Sequence, residues 1–221
     1  MKKEVYVSVS TDPIEEYQLI FDYAKEMQGK ADFLHCDIMD GKFVSNRTYD
    51  SQLVNNINQN SSIMLDVHLM CDEPLKLIDE YINAGANIIT IHYEAFKNKN
   101  DLILALKKIK EANVLAGLSI KPNTNINEVK IYIHDFDVIL VMSVEPGASG
   151  QKFMSEALDK IKQLDNLRTA NDYKYKIEVD GGVNKDNVKE IVEAGADMVV
   201  SGSYVYKSND RILAINSLKN I

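Results

Sequence analysis

What most restricts the fold of this chain is one alternation, repeated eight times: a short β-branched run, then a longer stretch with helical spacing of its apolar residues. Strands are expected over residues 5–9, 33–38, 63–69, 88–92, 115–120, 138–142, 176–179 and 198–201. These runs are almost continuously apolar, as in strands covered on both faces, and parallel strands need a crossover helix between them. Eight such units close most simply into a single (β/α)8 TIM barrel of the α/β class. At 221 residues the chain is a little shorter than usual for that fold, which runs to about 250, so one domain over residues 1–221 is the economical expectation.

The first helix is expected over residues 14–27, where Tyr17, Ile20, Phe21, Ala24 and Met27 share a face, Pro13 suits the first turn and Gly29 is the stop. Others are expected over 51–58, from Asp72 with Pro74 just inside, and over 101–112, 126–132 and 153–167. Residues 81–89 and 191–199 repeat one pattern, a helix ended by Ala-Gly-Ala that leads into a strand, as a duplicated βα unit would produce. Lys107, Lys108 and Lys110 read as the wet side of a helix.

A net charge of -8 and a pI near 5.1 argue against a nucleic-acid surface. No apolar run approaches membrane-spanning length, and residues 1–4 lead into the first strand without a signal peptide. Cys36 and Cys71 form no C-x-x-C pair and read as reduced thiols of a cytoplasmic protein, with Cys36 buried toward the helices.

Chemistry concentrates at strand ends. His35, Asp37 and Met39 alternate along one strand, so their side chains share a face. His68 and Asp180 end two further strands, and active sites of these barrels lie at the C-terminal strand ends. His35, Asp37, His68 and Asp180 would therefore meet at one rim. Two imidazoles and two carboxylates suit one divalent metal ion, Zn²⁺ first, with Mn²⁺, Fe²⁺ or Co²⁺ open; otherwise they are unrelated rim residues. Asp66 and Glu178 point the same way, either to orient these ligands or only to pack the barrel. His92 is expected as a hydrogen-bonded rim residue rather than a fifth ligand, and His134 in a surface loop. Met39, Met70 and Met142 either fill gaps or form an apolar hood over the rim.

Glycines gather in the last loops: Gly147-Ala148-Ser149-Gly150, Gly181-Gly182 and Gly202-Ser203. Each alone marks a turn, but three in succession fit a barrel of the phosphate-binding type, in which small residues let backbone N–H groups approach an anion.

Taken together, His35 to Gly41, Asp66 to Met70, Val141 to Gly147, Glu178 to Val183 and Ser201 to Ser203 resemble the ribulose-phosphate 3-epimerase family over nearly the whole chain. The resemblance implies a metal held by His35, Asp37, His68 and Asp180, with Asp37 and Asp180 as the acid/base pair of a 1,1-proton transfer. It implies a substrate-contacting serine at Ser8 and phosphate loops at Gly147 to Gly150, Gly182, Gly202 and Ser203, with His68, the three methionines and Gly181 around the substrate. The implied reaction is C3 epimerisation of D-ribulose 5-phosphate to D-xylulose 5-phosphate, a step of the pentose phosphate pathway, with a ketohexose 6-phosphate such as D-allulose 6-phosphate as the alternative substrate. A small sugar phosphate is thus the expected partner, with neither nucleic acid nor membrane, and a homo-oligomer is expected.

Three segments depart from the family pattern: the first strand reaches its helix sooner after Ser8-Val9-Ser10, and the loops at Lys42 to Asn46 and Ala148-Ser149 are altered. Barrel decarboxylases and aldolases offer a different chemistry, but their Asp-x-Lys-x-x-Asp pattern is missing from Asp37-Ile38-Met39-Asp40. A non-catalytic sugar-phosphate binder is the remaining alternative.

Overall fold

The computed structural model describes residues 5–221, so the expectation for residues 1–4 lies outside the described residues. Parallel strands β1 (Tyr6–Ser10), β2 (Phe33–Met39), β3 (Met64–Met70), β4 (Ile88–His92), β5 (Leu115–Ile120), β6 (Val138–Met142), β7 (Lys176–Asp180) and β8 (Met198–Ser201) pair in chain order. β8 returns to β1 and closes the barrel. Four strands run where the alternation put them, and the other four differ by a single residue at one or both ends.

Helix α1 (Tyr17–Met27) starts later than expected. Ile14 N–H donates to the Thr11 carbonyl (2.9 Å) and Glu16 is extended, so Pro13 belongs to a turn before the helix. α2 (Ser51–Asn60) is capped by Asp50, whose carboxylate accepts from Gln52 N–H. Pro74 heads a separate 3₁₀ turn, Pro74–Lys76, ahead of α3 (Ile78–Asn83). α4 (Lys99–Glu111) and α5 (Ile126–Val129) fall near their expected places. α6 (Ala157–Asn171) is displaced toward the C-terminus because Met154 N–H donates to the Ser143 carbonyl (2.9 Å), holding the preceding segment against the end of β6. α7 (Val188–Glu193) precedes β8, and α8 (Ser203–Tyr206) and α9 (Arg211–Lys219) follow it.

A fourfold repeat underlies the closure. Asp32, Asn87, Asp137 and Asp197 each stand immediately before an even-numbered strand, and the side-chain oxygen of each accepts the N–H of Val7, Leu65, Ala116 or Ile177 on the strand before (2.7–3.0 Å). The backbone N–H of each returns a bond to the carbonyl of that same residue (2.8–3.0 Å). This satisfies backbone groups that the slanted parallel ladder leaves open at the bottom of the barrel. The Ala-Gly-Ala pattern belongs to two of the four: Gly85 and Gly195 take φ of +92° and +128°, where any side chain would strike Asn58 or Asp165.

Outward-facing residues of the strands, Leu34, Cys36, Val67, Ile89, Val141 and Val199 among them, pack under the helices, which is where Cys36 was expected. Inside, Phe33, Ile88, Val138 and Met198 come from the four even strands and form a closed apolar floor. Above that floor the interior turns polar: Ser8, Asp66 and Glu178, then His35 and Thr90, then His68 and Ser119, all fully buried.

Candidate active site

Period-two alternation carries His35 and Asp37 up β2, Asp66 and His68 up β3 and Glu178 and Asp180 up β7, so all six point into the barrel near its C-terminal end. One donor atom from each of His35, Asp37, His68 and Asp180 lies within 4.8 Å of the other three. The four ligand candidates thus meet, as the strand-end argument expected. His35 Nε2 is 3.3 Å from Asp37 Oδ1 and 4.0 Å from Asp180 Oδ2, and it is buried with no hydrogen bond of its own. His68 Nδ1 is 3.2 Å from Asp37 Oδ1 and 4.0 Å from Asp180 Oδ2. An orphaned imidazole nitrogen facing two carboxylates is a donor set that suits a divalent cation.

Asp66 supports the set from below. His35 Nδ1 and Asp66 Oδ2 are 2.5 Å apart, and Ser8 Oγ donates to the same oxygen at 3.0 Å. Burial by itself would lower the His35 pKa, but the charges of Asp66 and Asp37 outweigh it and hold the imidazole well above its ordinary value. That attraction for a proton is the attraction a metal cation would meet, and binding it would release the proton. Asp66, opposed by burial, is held low by His35, whereas burial and the charge of Asp66 push Glu178 well above the usual carboxylate range. Glu178 is therefore shifted toward its neutral form deep in the barrel.

The two rim carboxylates diverge. Burial opposes ionisation of Asp37, yet the charge of His35 and the nearness of both imidazoles keep it well below the usual range. Asp180 is pushed up to about 6 by burial and by the charge of Asp37, against the pull of His35 and His68. Neighbouring carboxyls driven apart in acidity are suited to opposite acid and base roles.

A cavity of about 200 Å³ opens above them. Asp37, Met39, Met70, Met142, Gly147 to Gly150, Asp180 to Gly182, Gly202 and Ser203 line it, together with Ser10 and Asp12. Met39 and Met70 pack with Val44 on one side, and Met142 with Leu140 and Val144 on another. Ser8 is not on the wall; it lies one layer below, on Asp66. Ser10 instead reaches the rim and donates its hydroxyl to Asp37 Oδ2 at 3.0 Å, and it accepts from Asp12 N–H at 3.0 Å. Ser8 and Ser10 share a face, and the strand ends at Ser10, so the later serine is the one at the opening. Asp12 is a third carboxyl on the cavity wall that the sequence reading passed over, pushed up to about 7 by burial, Asp37 and Asp180.

Among the late loops, Ser203 Oγ is buried without a partner. Gly182 has φ +66°, and a Cβ there would lie 2.5 Å from Phe153 N, so this glycine first of all lets two loops touch. A Cβ on Gly202 would press on Pro13 (3.2 Å) and Ser10 (3.4 Å). The two altered loops touch at the edge of the cavity wall: Asn46 Nδ2 donates to the Gly147 carbonyl at 2.6 Å. His92 lies outside the four-donor group, its Nε2 2.9 Å from His68 Nε2, and His134 is exposed.

Carboxyls of opposed acidity at the open end of a (β/α)8 barrel define the class, an acid–base enzyme of the barrel fold. Comparison with known proteins narrows it. Residues 8–206 match the model of the ribulose-phosphate 3 epimerase family. A ribulose-phosphate 3-epimerase of Bacillus subtilis is 39% identical over 193 residues, covering 87% of this chain and 88% of its own length. Proteins of the same name from Helicobacter pylori (38% over 200 residues, 90% and 91% covered) and Aquifex aeolicus (36% over 195 residues, 88% and 86%) agree. The chain belongs to the ribulose-phosphate 3-epimerase family and is an isomerase of the racemase/epimerase class. Among solved structures, 3-keto-L-gulonate-6-phosphate decarboxylase from Vibrio cholerae superposes with a TM-score of 0.73 at 13% identity, covering 99% of this chain and 97% of that one. That likeness is of fold alone. Among the described residues, no helix is long and apolar enough to cross a membrane.

Proposed function

We propose that this enzyme inverts C3 of D-ribulose 5-phosphate to give D-xylulose 5-phosphate, reversibly, with Asp37 and Asp180 as its two proton carriers. The observation that carries the proposal is the pairing of Asp37, held ionised, with Asp180, held nearer neutrality, on one cavity beside two imidazoles. The two rise from β2 and β7, strands separated by β8 and β1 around the barrel, so they approach a bound sugar from different directions. One carboxylate removes the proton from C3, whose electrons pass into a C2–C3 enediolate. The other carboxyl returns a proton to the opposite face, which inverts the centre.

His35, Asp37, His68 and Asp180 would hold one divalent ion, Zn²⁺ by donor chemistry, and when bound that ion supplies positive charge where the enediolate develops. Ser10 fixes the Asp37 carboxylate by its hydrogen bond, and the methionines with Val44 and Val144 keep bulk water from the reacting carbon. The phosphate group would rest against the loops at Gly147 to Gly150, Gly182 and Gly202, with the Ser203 hydroxyl free to donate to it.

The test is a side-by-side assay of metal-loaded enzyme on D-ribulose 5-phosphate and D-allulose 6-phosphate. The pentose should show the higher kcat/KM, and the reverse ranking would transfer the assignment to the hexose. In D₂O the product should carry deuterium at C3, since the returning proton comes from a group other than the one that took the original. Product that keeps the substrate hydrogen would remove the two-carboxyl mechanism.

A further inference from the structure

Behind His68 stands a chain of three side chains. His68 Nε2 and His92 Nε2 are 2.9 Å apart, with the centroids of the two fully buried rings 4.9 Å apart and their planes inclined at 28°. His92 Nδ1 in turn lies 3.1 Å from Glu94 Oε2. The other carboxylate oxygen, Oε1, accepts the backbone N–H of Lys121 at 2.8 Å and the hydroxyl of Thr124. Phe43 covers His92 from the far side, its ring centroid 4.8 Å away, and Lys121 Nζ sits 4.1 Å over the Phe43 ring. Nothing in the sequence reading assigned Glu94 a part.

Only one proton fits between the two Nε2 atoms, so one imidazole donates and the other accepts. Glu94 decides which. A carboxylate accepts at both oxygens, so His92 carries its proton on Nδ1 and presents a bare Nε2 to His68. His68 must then carry a proton on Nε2, and its Nδ1 is the nitrogen left to face Asp37 and Asp180, where a divalent cation would take the place of a proton attracted by Asp37. The opposite arrangement would set the lone pair of His92 Nδ1 against the Glu94 carboxylate and would put a proton on the His68 nitrogen that faces the ligand group.

We propose that His92 and Glu94 are positioning residues that keep a proton on His68 Nε2, so that Nδ1 is the nitrogen offered as a donor to a divalent cation. This inference rests on the reading of His35, Asp37, His68 and Asp180 as a metal centre. The partner of a ligating histidine's far nitrogen commonly sets its tautomer and strengthens its binding, and loss of such a partner costs about 10–100-fold in metal affinity.

The test is Glu94→Gln, which keeps size and hydrogen bonding but reverses one polarity. Lys121 N–H and the Thr124 hydroxyl hold the amide oxygen at the Oε1 position, which turns the NH₂ toward His92 Nδ1. His92 would then carry its proton on Nε2, and His68 on Nδ1. Two measurements follow. Histidine ring ¹⁵N chemical shifts of the metal-free proteins should show a protonated Nε2 for His68 in the wild type and a bare Nε2 in Glu94→Gln. Competition of each protein for Zn²⁺ against a chromophoric chelator should show a 10–100-fold weaker site in Glu94→Gln and a similar loss in His92→Phe. A wild-type His68 with a bare Nε2, or a Glu94→Gln protein with unchanged tautomer and Zn²⁺ affinity, overturns the relay. A wild type that takes up no Zn²⁺ while its His68 and the Glu94→Gln variant show the expected tautomers supports the relay and overturns the metal centre instead.

Discussion

The two ends of the barrel interior are built on the same backbone and could hardly differ more in content. The floor, Phe33, Ile88, Val138 and Met198, is apolar and closed. The upper half buries His35 and His68, with His92 behind them, and the carboxyls of Asp37, Asp66 and Glu178, with Asp180 half-buried at the rim. A buried polar group costs free energy unless partnered, and here most are partnered in chains: Ser8 to Asp66 to His35 on one side, His68 to His92 to Glu94 on another. The difference teaches that the floor holds the barrel shut while the upper half spends part of that stability on side chains kept in unfavourable states.

The sharpest way to break the contrast is at the rim. Asp37→Asn and Asp180→Asn each keep size and lose a proton carrier, and each should lower kcat by about three orders of magnitude or more. Either variant retaining near-normal turnover would take that residue out of the acid/base pair.

At the floor the outcome should be the opposite. Ile88→Ala leaves a cavity among Phe33, Val138 and Met198 and should cost about 2–5 kcal/mol by chemical denaturation, with kcat/KM of the folded enzyme unchanged. A large loss of catalysis without loss of stability would mean that the floor shapes the site directly.

Acidity gives a third measurement. Asp180 titrates at about 6 in the folded chain and at an ordinary 3.8 unfolded, so between these values the folded state binds the extra proton. Stability attributable to Asp180 is therefore present below about pH 4 and lost as pH rises through about 6. In chelator-treated protein, Asp180→Asn should gain stability relative to wild type across that window, by at most about 3 kcal/mol. The side chain keeps 18% exposure, which screens its charge and brings the gain below that ceiling. A difference between the two proteins that stays flat from pH 4 to 7 would show that Asp180 carries no raised acidity.

The smallest effect belongs to the fourfold repeat below the floor. Asn87→Ala removes the acceptor for Leu65 N–H and should cost about 1–2 kcal/mol with no change in kcat. A null result in the melting curve would reduce the repeat to an ornament of closure.

Much of this architecture was legible in the chain. The alternation of β-branched runs with helical spacing gave eight strands close to their observed bounds, because strands buried on both faces must be nearly all apolar and helices must repeat near 3.6. The same period of two put His35 and Asp37 on one face and brought His68 and Asp180 to the same rim. Helix starts were less legible: α1 waits on a local turn in which Ile14 N–H donates to the Thr11 carbonyl, and α6 on the Ser143 carbonyl that captures Met154 N–H across the loop after β6, a contact that leaves no local trace. What the sequence by itself determined was the periodicity, hence the barrel and the face that carries His35, Asp37, His68 and Asp180. Which serine stands at the opening, that Asp12 joins the cavity wall and that Glu94 reaches His68 through His92 were decided only when β1, β3 and β4 took their registers, because strand register brings together residues whose spacing along the chain carries no signal of their distance in space.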